Sequence, residues 1–159
     1  MLEEAIARPV DRFFAAYSDD HRHPTNQWLH VLCVPAIVWS LLALVYCIPL
    51  GAGLSTGSLA AVMAIASVAF WLWLSVPIGL GAAVLMALSW GSVAALHAAF
   101  GTTVLAVIGA SVFVIAWVGQ FIGHHIEGRR PSFFTDLVYL MIGPVWVLSK
   151  GYRKLSVGY

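Results

Sequence analysis

Charge is what this chain has least of. Of its 159 residues, 9% are charged, and the formal net charge is +1. No basic tract interleaves with aromatics, which argues against a nucleic-acid partner. Cysteine is nearly absent: Cys33 and Cys47 both fall in the first apolar run. On one helix they would stand roughly 20 Å apart, too far for a bond between them. They read as small buried hydrophobes, and no histidine is placed to activate either as a nucleophile. A Gly-rich phosphate loop, a Gly-x-Ser-x-Gly elbow and a His-Glu-x-x-His helix are all missing. The opening MLEEAIARPVDRFF is acidic first, without an apolar core ahead of a cleavage site, so it does not read as a secretory leader. There is no internal repeat and no low-complexity tail.

Apolar residues are what the chain has most of. It is 61% hydrophobic, with a mean hydropathy of +0.90, far beyond a soluble domain of this length. The expected fold is all-α, a polytopic membrane helical bundle forming a single domain over 1–159. Four transmembrane helices are placed at about 28–48, 57–76, 79–97 and 104–122. An N-terminal amphipathic helix precedes them, started by Pro9 and marked by Val10, Phe13, Phe14 and Tyr17 at helical spacing. Thr25 or Asn26 is expected to cap the first span, Pro35 to kink it, and Pro49 with Gly51 and Gly53 to end it. The run from Leu54 to Trp90 is too long for one crossing. Its expected turn is Pro77–Gly81, although one long tilted helix over 59–90 would remove a crossing. Gly101-Thr102-Thr103 supplies the next turn. Residues 133–148 are short and broken by Gly143-Pro144, which suits a re-entrant or interfacial helix.

No lysine or arginine lies between Arg22 and Arg129. Arg8, Arg12 and Arg22 precede the first span, Arg129 and Arg130 follow the fourth, and Lys150, Arg153 and Lys154 follow the last apolar segment. Four crossings put all of these on the cytoplasmic side together with both termini. The expected setting is a bacterial inner membrane, or the endoplasmic reticulum in a eukaryotic cell.

That topology brings two distant histidine groups to one membrane face. His21, His23 and His30 sit at the start of the first span, and His124 and His125 at the end of the fourth. His97 falls on the opposite face and drops out. Asn26 and His30 are spaced i, i+4, and His124 and Glu127 i, i+3, so each pair can share a helix face. Imidazoles and a carboxylate are ligands for first-row transition metals: a two-histidine, one-carboxylate set suits iron(II), and an all-histidine set suits iron or zinc. The bland readings are a solvated loop for His21 and His23, an inter-helix hydrogen bond for His30, and surface pairing of Glu127 with Arg129 or Arg130. Arg129 and Arg130 serve as topology signals, as contacts to lipid headgroups, or as a clamp for a carboxylate. Gln120 and Asp136 are candidates for orienting the ligands.

Two stretches resemble the signatures of a known family. HRHPTNQWLH, His21 to His30, is similar to its His-x-x-Pro-x-Asn-x-x-x-His pattern. GHHIEGRRPSFFTDL followed by IGPVW is similar to its second pattern. The family comprises small membrane proteins typified by the fungal 2-hydroxy-fatty-acid dioxygenase of phytosphingosine breakdown. The resemblance runs from about Phe13 to Trp146, and two separated signatures in order make it specific. It implies an Fe2+ cofactor, O2 and a 2-hydroxy fatty acid as substrates, and loss of one carbon as CO2. It implies His21, His30 and His124 as metal ligands. His30, His124 and Glu127 become the catalytic set, with Asn26, Arg129 and Arg130 toward the substrate. Membrane lipid is the surrounding partner, and a homo-oligomer stays open. The competing readings are another metal-dependent lipid enzyme, a hydrolase or hydroxylase, and a non-enzymatic membrane protein with structural histidines.

Overall fold

The protein is described here from a computed structural model, over residues 8–51, 55–130 and 138–159. Five helices make up the described chain: α1 (Pro9–Asp19), α2 (Pro24–Tyr46), α3 (Ser58–Leu74), α4 (Val76–Glu127) and α5 (Val138–Lys154). No strand occurs among the described residues. All-α is therefore what the structure has. Asp136 lies outside the described residues.

Local chemistry sets the boundaries. Pro9 and Pro24 each occupy the first turn of a helix, where a missing N–H costs nothing. The cap of α2 is His23, not Thr25 or Asn26: the His23 Nδ1 accepts the Thr25 backbone N–H at 3.2 Å. Pro35 stays inside α2, and the helix continues through it. Between α3 and α4 the turn is not at Pro77–Gly81. A single extended residue, Ser75 (φ −163°, ψ 125°), separates the helices, and Pro77 belongs to the first turn of α4. So tight a corner needs a bare backbone at Gly79, where a Cβ would run into the Leu72 main chain.

Helix α4 is broken at Gly101, whose φ of 76° is left-handed. Contacts to α2 show that the chain reverses there. After the break, Thr102 meets Cys47, Gly109 faces Ala43 and Leu44, Gly119 faces Cys33, and Gly123 faces Asn26. Residues 102–127 therefore run antiparallel to α2. Before the break, the Trp39 indole donates to Ser92 Oγ at 2.8 Å, and the Tyr46 ring packs on Trp90 and His97. The start of α4 lies at the other end, where the Tyr152 hydroxyl donates to the Pro77 carbonyl.

The bundle thus has two ends, each with its own core. At one end α1 and α5 cover the starts of α2 and α4, burying Val10, Phe14, Tyr17, Ile78, Val145 and Trp146. At the other end Leu42, Ala43, Ala60, Val93 and Leu105 close together. Among the described residues two helices are long and apolar enough to cross a membrane, α2 and α4, while α3 is apolar but has 17 residues. Only 11% of the most apolar window of α4 is buried, unlike the core helix of a soluble protein. Ile65, Leu88 and Ile115 are among the large apolar side chains turned outward.

Candidate metal centre

Three histidines from three places in the chain meet at the covered end of the bundle. His21 comes from the link between α1 and α2, His30 from the second turn of α2, and His124 from the last turn of α4. All three are buried, and one ring nitrogen from each lies within 4.8 Å of the other two. The ring centroids are 4.3 Å apart for His21 and His30, 4.9 Å for His21 and His124, and 5.0 Å for His30 and His124.

Backbone carbonyls set the tautomers. The His21 Nδ1 lies 2.6 Å from the Tyr17 carbonyl, and the His30 Nδ1 lies 2.9 Å from the Asn26 carbonyl. A carbonyl only accepts, so in the neutral ring each Nδ1 carries the proton and each Nε2 keeps its lone pair. The His21 Nε2 and the His124 Nδ1 are buried with no hydrogen-bond partner in the protein. Burial pushes His21 below the ordinary imidazole range, opposed by the Tyr17 carbonyl and by the carboxylates of Asp20 and Glu127. A neutral imidazole with a free lone pair is the form that binds a metal.

Aromatic groups wall the cluster. Tyr17 stacks on His21 with centroids 4.1 Å apart and planes 9° apart, and Trp146 sits 5.5 Å from His21. The Trp146 indole donates to Ser18 Oγ, and the Lys150 ammonium lies 4.0 Å over the Trp146 ring while donating to Gln27 Oε1. Gln27 in turn donates to the His21 carbonyl at 2.8 Å. Burial lowers Lys150 from the ordinary ammonium range. Helix α5 is thereby tied to the segment that carries His21. In the sequence Lys150 marks only topology and Trp146 only the end of the IGPVW stretch, and nothing there points to Gln27.

The Glu127 carboxylate sits beside the cluster and grips the chain around α2. It accepts the backbone N–H groups of Arg22 at 3.0 Å and His23 at 2.8 Å, and the Asn26 amide at 3.1 Å. These donors lie at a helix N-terminus, which favours an anion. Asn26 is fully buried, and its Oδ1 has no partner. Arg129 pairs with Asp20 at 2.9 Å and donates to the Asp19 carbonyl. Arg130 is exposed. His125 is exposed too, whereas His97, at the far end, is hydrogen-bonded to Thr102 Oγ1 at 3.0 Å.

Two hollows meet at His124. A surface depression is lined by Phe121, His124, His125, Arg129 and Arg130. An apolar cavity runs from His30, Gln120 and His124 to Leu42, Val45 and Ala60. The Gln120 Nε2, one turn before His124, is buried and unpartnered in the protein.

Known proteins can now be set beside this geometry. The family profile described as "2-hydroxy-palmitic acid dioxygenase Mpo1-like" matches residues 7–155. The chain belongs to the Mpo1-like family. It is 30% identical over 142 residues to the 2-hydroxy-palmitic acid dioxygenase MPO1 of Saccharomyces cerevisiae, covering 88% of this chain and 78% of the yeast protein. No solved structure matches it. The histidine cluster lies wholly inside the stretch shared with the Mpo1-like family. A dioxygenase of this family is an oxidoreductase of lipid metabolism, and that assignment extends to the chain at the family level.

Proposed function

We propose that the protein is an iron(II)-dependent membrane dioxygenase that shortens 2-hydroxy fatty acids by one carbon. One 2-hydroxy acid and one O2 give the acid one carbon shorter, CO2 and water. The observation that carries this reading is the juxtaposition of three buried, convergent imidazoles with the polar end of a long apolar cavity.

The residues fit a resident metal. A buried imidazole nitrogen without a partner is costly unless something accepts its lone pair. His21 and His124 each present such a nitrogen, and the set is all nitrogen and neutral. His21, His30 and His124 would hold the ion. When bound, iron(II) with open positions would activate O2 beside the hydroxy acid, whose own oxidation supplies the four electrons that reduce it.

The chain's own groups do the rest. The Tyr17 and Asn26 carbonyls hold the His21 and His30 rings in the metal-binding tautomer. Glu127 fixes the two ends of the site to each other, because it belongs to α4 yet binds the segment bearing His21 and His23. It is a positioning residue in this account, as is Asn26. Gln120 offers an amide N–H to the acid's oxygens at the head of the cavity. Arg130, at the rim of the surface depression, meets the carboxylate on its way to His124, while Arg129 is engaged with Asp20. Tyr17, Trp146 and the apolar wall exclude water from the reacting end.

The same proposal places the bundle in a membrane with four crossings: α2, α3, and the segments 76–100 and 102–127. The reversal at Gly101 and the outward apolar faces support it. Helix α3 is short, so its ends would lie near the interface. Then α1 and α5 rest on the cytoplasmic face over the metal centre. O2 uptake by the iron-loaded protein given 2-hydroxypalmitate, with matched CO2 release, tests the activity. Iron-loaded protein that consumes no O2 with any 2-hydroxy acid would instead favour a hydrolase on the same ligands.

A further inference from the structure

We propose that the far end of the apolar cavity, formed by Leu42, Val45 and Ala60, is a ruler that sets the length of the acyl chain the site accepts. The inference rests on the reading of the histidine end as the place where the acid's head is held. His30 and Val45 line the same cavity from the same helix, fifteen residues apart. At the helical rise that separation is about 22 Å. An extended hydrocarbon with carbon–carbon bonds of about 1.5 Å at tetrahedral angles advances ~1.25 Å per bond. The span from the histidines to Val45 therefore matches an extended acyl chain of about 18 carbon–carbon bonds.

The far end abuts a packed core. Leu42 and Ala60 pack with Ala43, Val93 and Leu105 in a core that leaves each of them 6% exposed or less. Behind that core the Tyr46 ring fills the space over Gly57, where a Cβ would collide with it, and leans on Trp90 and His97. Hydrogen-bonding groups crowd the opposite end, at Tyr17, His30, Gln120 and His124. This one-sided polarity gives a fatty acid one orientation, head at the histidines and methyl terminus at Ala60. Met63 and Met86 line the walls and adapt to chains that bend. Ala60 is the natural stop: it is small, buried and placed where added bulk shortens the cavity from the core side.

The test uses the iron-loaded full chain in lipid nanodiscs, offered a mixture of 2-hydroxy acids from lauric to arachidic. Ala60→Leu should shift the preferred product to shorter acids, and Leu42→Ala to longer ones. Each methylene that no longer fits should cost about fourfold in relative preference, the equivalent of burying one CH2. Displacement of a fluorescent fatty acid by unhydroxylated acids of the same lengths reads the ruler without turnover, and Leu42→Ala keeps the test alive if Ala60→Leu fails to fold. Variants that retain the wild-type length profile would overturn the ruler, as would binding that is indifferent to length, or a cavity that keeps a co-purified phospholipid and admits no fatty acid. Length-dependent binding that shifts in both variants, without turnover of any 2-hydroxy acid, would support the ruler and sink the activity reading instead.

Discussion

The two ends of this bundle both contain histidine, and they treat it differently. At the far end His97 sits beside the Gly101 break, bonded to the Thr102 hydroxyl and edged by Tyr46. Its hydrogen-bond partner is local and its surroundings are partly open. At the covered end His21, His30 and His124 come from three segments and are buried, and His21 and His124 each leave a ring nitrogen unanswered. What marks a metal site is therefore not the imidazole but the unsatisfied, convergent lone pair inside a dry wall. Energetically, the far end is complete as it stands. The covered end leaves the His21 and His124 nitrogens without a partner in the protein.

Breaking the covered end should produce the largest effect. His30→Ala or His124→Ala should remove the bound metal and lower turnover by more than about 100-fold, beyond what the loss of an orienting partner causes. His97→Ala should change turnover less than about twofold, as a surface substitution away from special features does. Elemental analysis beside the O2-uptake rate reads both. Equal losses from the two ends would remove the distinction.

Glu127→Gln should come next. It keeps the shape of the carboxylate but removes the charge that holds the Arg22 and His23 N–H groups, lowering metal affinity by roughly 10-fold. Chelator competition measures this, and an unchanged affinity would reduce Glu127 to a surface cap. Gly123→Ala drives a methyl against the Asn26 amide and Leu29 from the other side of the same junction. Overpacking of that kind costs about 1–3 kcal/mol in stability, read by thermal denaturation in detergent.

Acid should sharpen the contrast in the metal-free protein. The pKa of His21 is lowered in the folded state from the ordinary imidazole value of 6.5, chiefly by burial. In the unfolded chain it protonates first as pH falls. Its stabilising contribution is therefore complete above pH 6.5 and is lost as pH drops toward the lowered folded value. The metal-free melting temperature should fall from neutral to mildly acidic pH, and a His21→Phe variant should lose part of that slope. The smallest effect belongs to Arg129→Ala, which breaks an exposed pair with Asp20 worth at most about 1 kcal/mol.

Much of this was legible before the structure. Hydropathy and the two islands of positive charge brought His21, His30 and His124 to one end, because an apolar chain that crosses an even number of times returns to the same side. The turn near Gly101 was legible for the same reason that the Ser75 turn was not. Gly101 is followed by the polar pair Thr102-Thr103 and adopts a positive φ, whereas Ser75 is one extended residue inside an unbroken apolar run. Pro77 misled because proline starts a helix as readily as it marks a turn. Glu127 was visible at helical spacing from His124, but its grip on Arg22, His23 and Asn26 depends on how closely α4 approaches α2. Trp146, Gln27 and the cavity depend on packing between distant helices, which no local pattern encodes. The IGPVW stretch did flag Trp146 as part of a signature without giving its place against His21.

The central claim is that these three histidines together hold one iron ion. Metal analysis of the purified full chain, beside the His21→Ala, His30→Ala, His124→Ala and His97→Ala variants, tests it most directly. The account predicts stoichiometric iron in the wild type and in His97→Ala, and loss of it in each of the other three. Iron retained in all three of those variants, or an active wild type without metal, would contradict it.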